Sequence, residues 1–125
     1  MSKSVIHSDK APKAAGPYEQ AIRTGNLIFV SGQLGLDPAS GSLASGVEAQ
    51  ACQALENVGA ILREAGSGYG KAVKCTVFLT DMADFAAVNA IYAGYFEGGF
   101  PARTCVQVGK LPLGGLVEVE CIAEV

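Results

Sequence analysis

The chain has one histidine, His7, no tryptophan, and nine lysines and arginines against twelve aspartates and glutamates in 125 residues. Its formal charge of -3 is spread without basic runs, so the electrostatic footprint of a phosphate-backbone binder is missing and nucleic acid is not expected as the principal partner. Cys52, Cys75, Cys105 and Cys121 lie far apart with no CxxC pair. With a single histidine this leaves no zinc-ligand spacing, and no metal site is expected. An even cysteine count permits disulfides, but no secretory leader is visible, and reduced thiols packed as small apolar groups are the favoured reading. The opening MSKSVIHSDKAP has no apolar core, and no stretch approaches the roughly 18 unbroken apolar residues of a membrane span. A soluble, cytoplasmic protein with no membrane partner is the expectation.

What is present is apolar bulk: 50% of the residues are hydrophobic. One domain, residues 1–125, is expected, with no repeat, linker or low-complexity tract. A chain of this size buries only about 60 to 70% of its unfolded surface. The surplus of apolar residues points to partner subunits.

Tyr18 to Arg23 and Leu27 to Gly32 flank the turn-like Thr24-Gly25-Asn26 and read as a hairpin. A loop rich in Gly, Ser and Pro follows from Asp37 to Ser45. It ends on Ser45-Gly46-Val47-Glu48, whose Ser and Glu have the spacing of a capping box. Val47, Ala51, Leu55, Val58, Ile61, Leu62 and Ala65 then keep helical spacing up to Gly66. Val73 to Thr80 alternates as a strand, with Val73, Cys75, Val77 and Leu79 on one side. Phe85, Val88, Ile91 and Tyr95 return to helical spacing before Glu97-Gly98-Gly99 and Pro101. Arg103 to Val108 and Leu116 to Val125 alternate again, across a loop holding Gly109, Pro112, Gly114 and Gly115, and read as a second hairpin. The order β-β-α-β-α-β-β predicts an α+β fold with both helices on one face of a single sheet. The other face has nothing in the chain to cover it, so packing between subunits is the expected solution.

Alternation places Arg103, Cys105 and Gln107 on one face of the first strand of that last hairpin, and Glu118, Glu120 and Ile122 on one face of the second. Symmetric pairing puts Cys105 opposite Glu118 and brings guanidinium, thiol and carboxylate together. A slip of one residue moves one set to the wrong face. Arg103 is either a surface charge paired with Glu120 or a planar cation that binds a substrate carboxylate through two charge-assisted hydrogen bonds. In the second case a nearby Glu can hold an attacking water. Cys105 has no histidine neighbour for a Cys–His pair, so covalent catalysis is disfavoured. Asn89 interrupts the apolar side of the second helix and has either a structural or a site role. Tyr18, after Gly16-Pro17, either packs its ring or serves a site.

Four segments in order, KAPKAAGPYEQA, FVSGQLGLDPASG, VKCTVFLTDMADFAAVNAIYAGYF and FPARTCVQVGKLP followed by VEVECIA, resemble the reactive intermediate deaminase (Rid) family from end to end. The family is also known as liver perchloric-acid-soluble protein or endoribonuclease L-PSP. Leu34 stands where Ile is common and Cys75 where Thr is common, and neither touches the expected chemistry. The resemblance implies a chorismate-mutase-like subunit, a homotrimer with its sheets packed into a barrel, and three sites in the clefts between subunits. It implies that Arg103 binds the substrate carboxylate and that Glu118 is the acid associated with the hydrolytic water. Tyr18, Asn89 and Cys105 match pocket positions, and Ser31 and Gly32 match the loop lining the pocket. The activity implied is hydrolysis of 2-iminobutanoate or 2-iminopropanoate, reactive products of pyridoxal-phosphate enzymes, to 2-oxo acids and ammonium. No cofactor is needed, because an imine is already electrophilic and requires only positioning and proton transfer. The alternatives are a non-catalytic small-carboxylate-binding or chaperone-like trimer and, behind both, a ribonuclease or translation inhibitor.

Overall fold

The computed structural model describes residues 2–125. Six strands, β1 (Ser4–Ile6), β2 (Ala21–Thr24), β3 (Leu27–Leu34), β4 (Ala72–Leu79), β5 (Ala102–Gln107) and β6 (Val117–Glu124), form one sheet in the order β1-β2-β3-β6-β4-β5. Helices α1 (Val47–Glu64) and α2 (Phe85–Tyr95) pack against each other, and α1 packs on β3 and β6. The expected α+β class, the first hairpin and the two helices are all present. Strand β1 is an addition, too short to show a period.

Alternation decides which residues enter the core. Ile28, Cys75, Val77, Leu79, Val117, Val119 and Ala123 on the sheet, and Leu55, Val58, Ile61 and Leu62 on α1, are almost wholly buried. Each large apolar side chain so buried contributes about 1.5 to 3 kcal/mol. Val73 leaves the pattern and is exposed, because the β4–β6 register slips between Ala72 and Lys74. The opposite sheet face carries Ile22, Phe29, Phe78, Val106 and Ile122 among Lys74, Thr76, Thr104 and Glu120. No element among the described residues covers it, and Phe29 is 41% and Val106 39% exposed.

Two further expectations fail. Gly46, not Ser45, is the N-cap of α1; its φ of 87° suits glycine, and no side chain caps the helix. The capping-box spacing is therefore out of register by one residue. Gln50 ties this helix start instead, donating to the Ala44 carbonyl at 3.0 Å and accepting from the Leu116 amide at 2.8 Å. The far end follows expectation. Gly66 at φ 79° lets Ser67 N–H reach the Leu62 carbonyl at 2.8 Å while its own N–H reaches Arg63 at 3.1 Å, the double bond that satisfies terminal carbonyls.

The second failure concerns the last hairpin. β5 and β6 do not pair: β5 runs parallel to β4, and β6 lies antiparallel between β3 and β4. Alternation reports which faces a strand presents, not its neighbour, and the connection Val108–Leu116 is long enough to carry the chain past the end of β4. Backbone bonds from Val108 to Leu79 (2.8 Å) and from Thr80 to Leu116 (3.2 Å) fasten that crossing. Cys105 is consequently beside Val77 and Glu118 beside Phe78 and Leu34, so Cys105 and Glu118 are not opposite one another.

Candidate active site in two halves

In register, residues paired across strands share a face. Arg103 is level with Cys75, whose side chain is in the core, so Arg103 and Cys105 point to the helix side at the sheet edge. Glu118 is level with Phe78 and points to the open side. The candidate residues therefore fall into two groups on opposite faces of the sheet, separated by β4.

The Glu118 half is a cleft of about 190 Å³ lined by Pro12, Tyr18, Gln20, Gly32, Leu34 and Leu113, among others. Its floor depends on a bulge. Val30 pairs with Cys121 but Gln33 with Val119, so β3 has one residue too many at Ser31–Gly32, a common device beside active sites. Gly32 gives the Glu118 side chain its room, since a Cβ there would lie 2.8 Å from the carboxyl carbon. Ser31 is fastened rather than free: its hydroxyl donates to the Glu19 carbonyl at 2.6 Å and its amide to the Gln20 carbonyl at 2.9 Å. Tyr18 is 46% exposed at the rim, and its hydroxyl accepts from the Ala15 amide at 3.1 Å.

Burial pushes the Glu118 carboxyl above its usual range, and the negative charge of Glu120 adds to the shift. A carboxylate moved this way is a better base, because its pKa lies nearer the working pH.

Three buried amides hold the cleft walls. Gln20 accepts from the Ser8 amide at 2.7 Å and donates to the carbonyls of Ser8 (3.1 Å) and Pro12 (2.8 Å). Asn57, wholly buried on α1, donates to the carbonyls of Leu34 (3.1 Å) and Leu36 (2.9 Å). Gln50 holds Leu116, as described. Sequence reasoning missed all three, because an isolated Gln or Asn has no period that separates it from a surface residue.

The Arg103 half sits against α2. Arg103 Nη1 donates to Asn89 Oδ1 at 2.6 Å, and its guanidinium carbon lies 4.9 Å from the Tyr92 ring centre and 5.6 Å from that of Phe85. The expected pairing of Arg103 with Glu120 is not formed, since Glu120 is on the other face. Among the described residues no lysine or arginine forms an ion pair, and the one histidine–carboxylate contact is His7–Asp9 at 3.0 Å. The cation thus lies in a hollow with Asn89, Tyr92, Ala93, Phe100 and Pro101 and has no acidic partner. Phe85 and Tyr92 were also missed as site neighbours, although Phe85, Asn89 and Tyr92 form a legible helical row at i, i+4 and i+7. Cys105 is half-buried nearby, and burial raises its thiol, partly offset by Arg103. A protonated thiol is a weak nucleophile. All four cysteines are free.

The sequence profile of endoribonuclease L-PSP matches residues 8–125. The chain belongs to this family. Among its relatives in the L-PSP family, the 2-iminobutanoate/2-iminopropanoate deaminase of Capra hircus is 52% identical over 98% of this chain and 90% of its own. The chloroplastic Reactive Intermediate Deaminase A of Arabidopsis thaliana is 50% identical over 98% of this chain and 66% of its own. The structure of TdcF from E. coli with bound serine superposes with a TM-score of 0.95 at 41% identity, covering 98% of each chain. No described helix is long and apolar enough to cross a membrane.

Proposed function

We propose that this L-PSP family member is a cofactor-independent deaminase that hydrolyses 2-imino acids such as 2-iminobutanoate and 2-iminopropanoate. We further propose that it acts as a homotrimer whose site is closed between subunits. The observation that carries this reading is the division of the machinery: a carboxylate-ready arginine on one face of the sheet and a carboxylate raised toward general-base use on the other. In this reading two copies bring such halves together. The exposed apolar residues support the same arrangement, for Phe100 (69% exposed) borders the arginine half and Leu113 (65%) the Glu118 half. The names of the relatives, and the serine in one of their structures, favour a small ligand carrying a carboxylate.

In this mechanism the imino acid carboxylate lies on Arg103 of one subunit, each charge-assisted hydrogen bond contributing about 1.5 to 3 kcal/mol. Glu118 of a second subunit holds a water and takes its proton as the oxygen attacks the C=N carbon. The resulting carbinolamine collapses with its nitrogen protonated, and ammonia leaves a 2-oxo acid behind. Tyr18, Ser31 and Gly32 shape the Glu118 side, and Asn89 and Cys105 the arginine side. The setting we infer is the cytoplasm, where four free thiols stay reduced.

Subunit complementation tests the reading. Arg103→Lys and Glu118→Gln chains are each assayed alone for 2-oxo acid formation above the spontaneous rate. They are then mixed as unfolded chains, refolded together and sized by sedimentation equilibrium. Each interface draws one half-site from each of two chains, so random mixing restores about a quarter of wild-type activity. No recovery in a mixed trimer would place both residues in one subunit's site and overturn the shared-cleft reading. Tight ligand binding without product from the wild type would replace the deaminase by a carboxylate-binding protein.

A further inference from the structure

An arginine on an edge strand normally sweeps a wide volume, since both its flexible stem and its exposed position favour many rotamers. Arg103 does not have that freedom. The first restraint is the 2.6 Å bond from Nη1 to Asn89, which fixes one corner of the guanidinium and still lets the group rotate about that corner. The second is the pair of rings, Tyr92 at 4.9 Å and Phe85 at 5.6 Å from the guanidinium carbon.

The Tyr92 ring is itself held from behind. It is 4% exposed, and its centre lies 4.6 Å from that of Phe96, which meets Tyr69 edge-on at 5.6 Å. The Tyr69 hydroxyl donates to the Leu55 carbonyl at 2.7 Å, so this aromatic series runs from Arg103 back to α1. The Tyr92 hydroxyl, by contrast, is buried with no partner better than the weak thiol of Cys75. What Tyr92 contributes here is its ring rather than its hydroxyl.

We infer that Phe85 and Tyr92 are positioning residues for Arg103, aromatic walls that fix the plane of the guanidinium so that its free edge addresses a carboxylate. The carboxylate role rests on the proposed function; the immobilisation of the guanidinium does not. Asn89 and the two rings occupy one row of α2, so a single helix face sets corner and plane together.

The test uses the full-length protein in the wild-type form and as Phe85→Leu, Phe85→Met and Phe85→Tyr. Phe85 is only partly buried, so the aliphatic variants keep most of the packing, and Met is the second choice should Leu fail to fold. The first readout is the nitrogen NMR spectrum of the guanidinium, assigned through Arg103→Lys. Restricted rotation keeps the terminal nitrogens distinct in the wild type and in Phe85→Tyr, and they average together in the aliphatic variants. The second is calorimetric affinity for pyruvate, expected to weaken about three- to thirtyfold in the aliphatic variants, the range of a partly desolvated cation–π contact. Phe85→Tyr recovers most of that loss, and melting temperatures stay comparable. A folded aliphatic variant with the guanidinium spectrum of the wild type overturns the inference, as does a Phe85→Tyr variant that behaves like Phe85→Leu. Absence of imine turnover in the wild type counts against the deaminase alone, because the NMR result stands without it.

Discussion

The two halves of the candidate site solve the same problem by different means. The Glu118 cleft is walled by irregular segments, 8–13, 34–36 and 112–116, and each is held by the amide of a buried Gln or Asn. The Arg103 half, although bordered by Phe100 and Pro101 of the α2–β5 connection, is set by one row of a regular helix, which supplies a hydrogen-bond acceptor and two rings. Loops need specific polar anchors because their backbone groups lack regular partners, whereas a helix offers a preformed face. The cleft should therefore be the more fragile half, and the arginine half the more tolerant.

The largest effect is expected at Glu118. Glu118→Gln keeps the shape but removes the base, for a loss of about 10² to 10⁴ in the catalysed rate, less where the spontaneous background is fast. Affinity for pyruvate persists. Glu120→Gln is the control on the same face, and rates of oxo-acid formation separate the two. A general base is active when deprotonated, so activity falls as pH drops through the raised pKa of Glu118. Removing the negative charge of Glu120 lowers that pKa, and the acid limb of the pH profile in Glu120→Gln moves to lower pH. A limb that stays in place would detach the titration from Glu118.

Arg103→Lys comes next. Lysine keeps the charge but loses the planar fork, and forfeiting one charge-assisted bond corresponds to about 10- to 10²-fold in affinity for a 2-oxo acid. The melting temperature should move little, because lysine keeps a cationic donor beside Asn89 and the two rings and Arg103 has no ion-pair partner to lose. Near-normal imine hydrolysis by this variant would reduce Arg103 to an ordinary surface charge.

The smallest effects compare the anchors themselves. Gln20→Leu leaves the Ser8 amide and carbonyl without their partner, and one such buried loss costs about 1 to 3 kcal/mol. Tyr92→Phe removes a hydroxyl that has no good partner, so its stability is unchanged or slightly higher. Chemical denaturation of both variants measures the contrast, and equal destabilisation would erase the distinction between the two halves.

The fold class, both helices and the first hairpin were legible because burial on one face imposes a period on the sequence. Strand order was not: the alternation of Arg103 to Val108 is the same whether its neighbour is β4 or β6, and only the long-range packing of β6 between β3 and β4 decides. Arg103, Cys105, Glu118, Asn89 and Tyr18 were candidates from residue type and parity, resemblance gave them roles and added Ser31 and Gly32, and their division between faces became visible only with the register. Gln20, Gln50 and Asn57 stayed hidden because their partners are backbone groups, as far as 66 residues away for Gln50 and Leu116.

The bulge at Ser31–Gly32 acts on β3 much as a frameshift acts on a coding sequence. Before it, Ile28 and Val30 are the inward residues; after it the count restarts, with Gln33 inward and Leu34 turned to the Glu118 side. Threading the same residues through a regular strand would continue the alternation of Ile28 and Val30 to Gly32 and Leu34, sending Leu34 into the core and Gln33 to the opposite face, whereas deleting Gly32 removes the surplus and leaves Gln33 inward, two places after Val30. The grammar of this strand therefore depends on its one surplus residue, and changes in chain length at that point are of a different kind from changes in side chain.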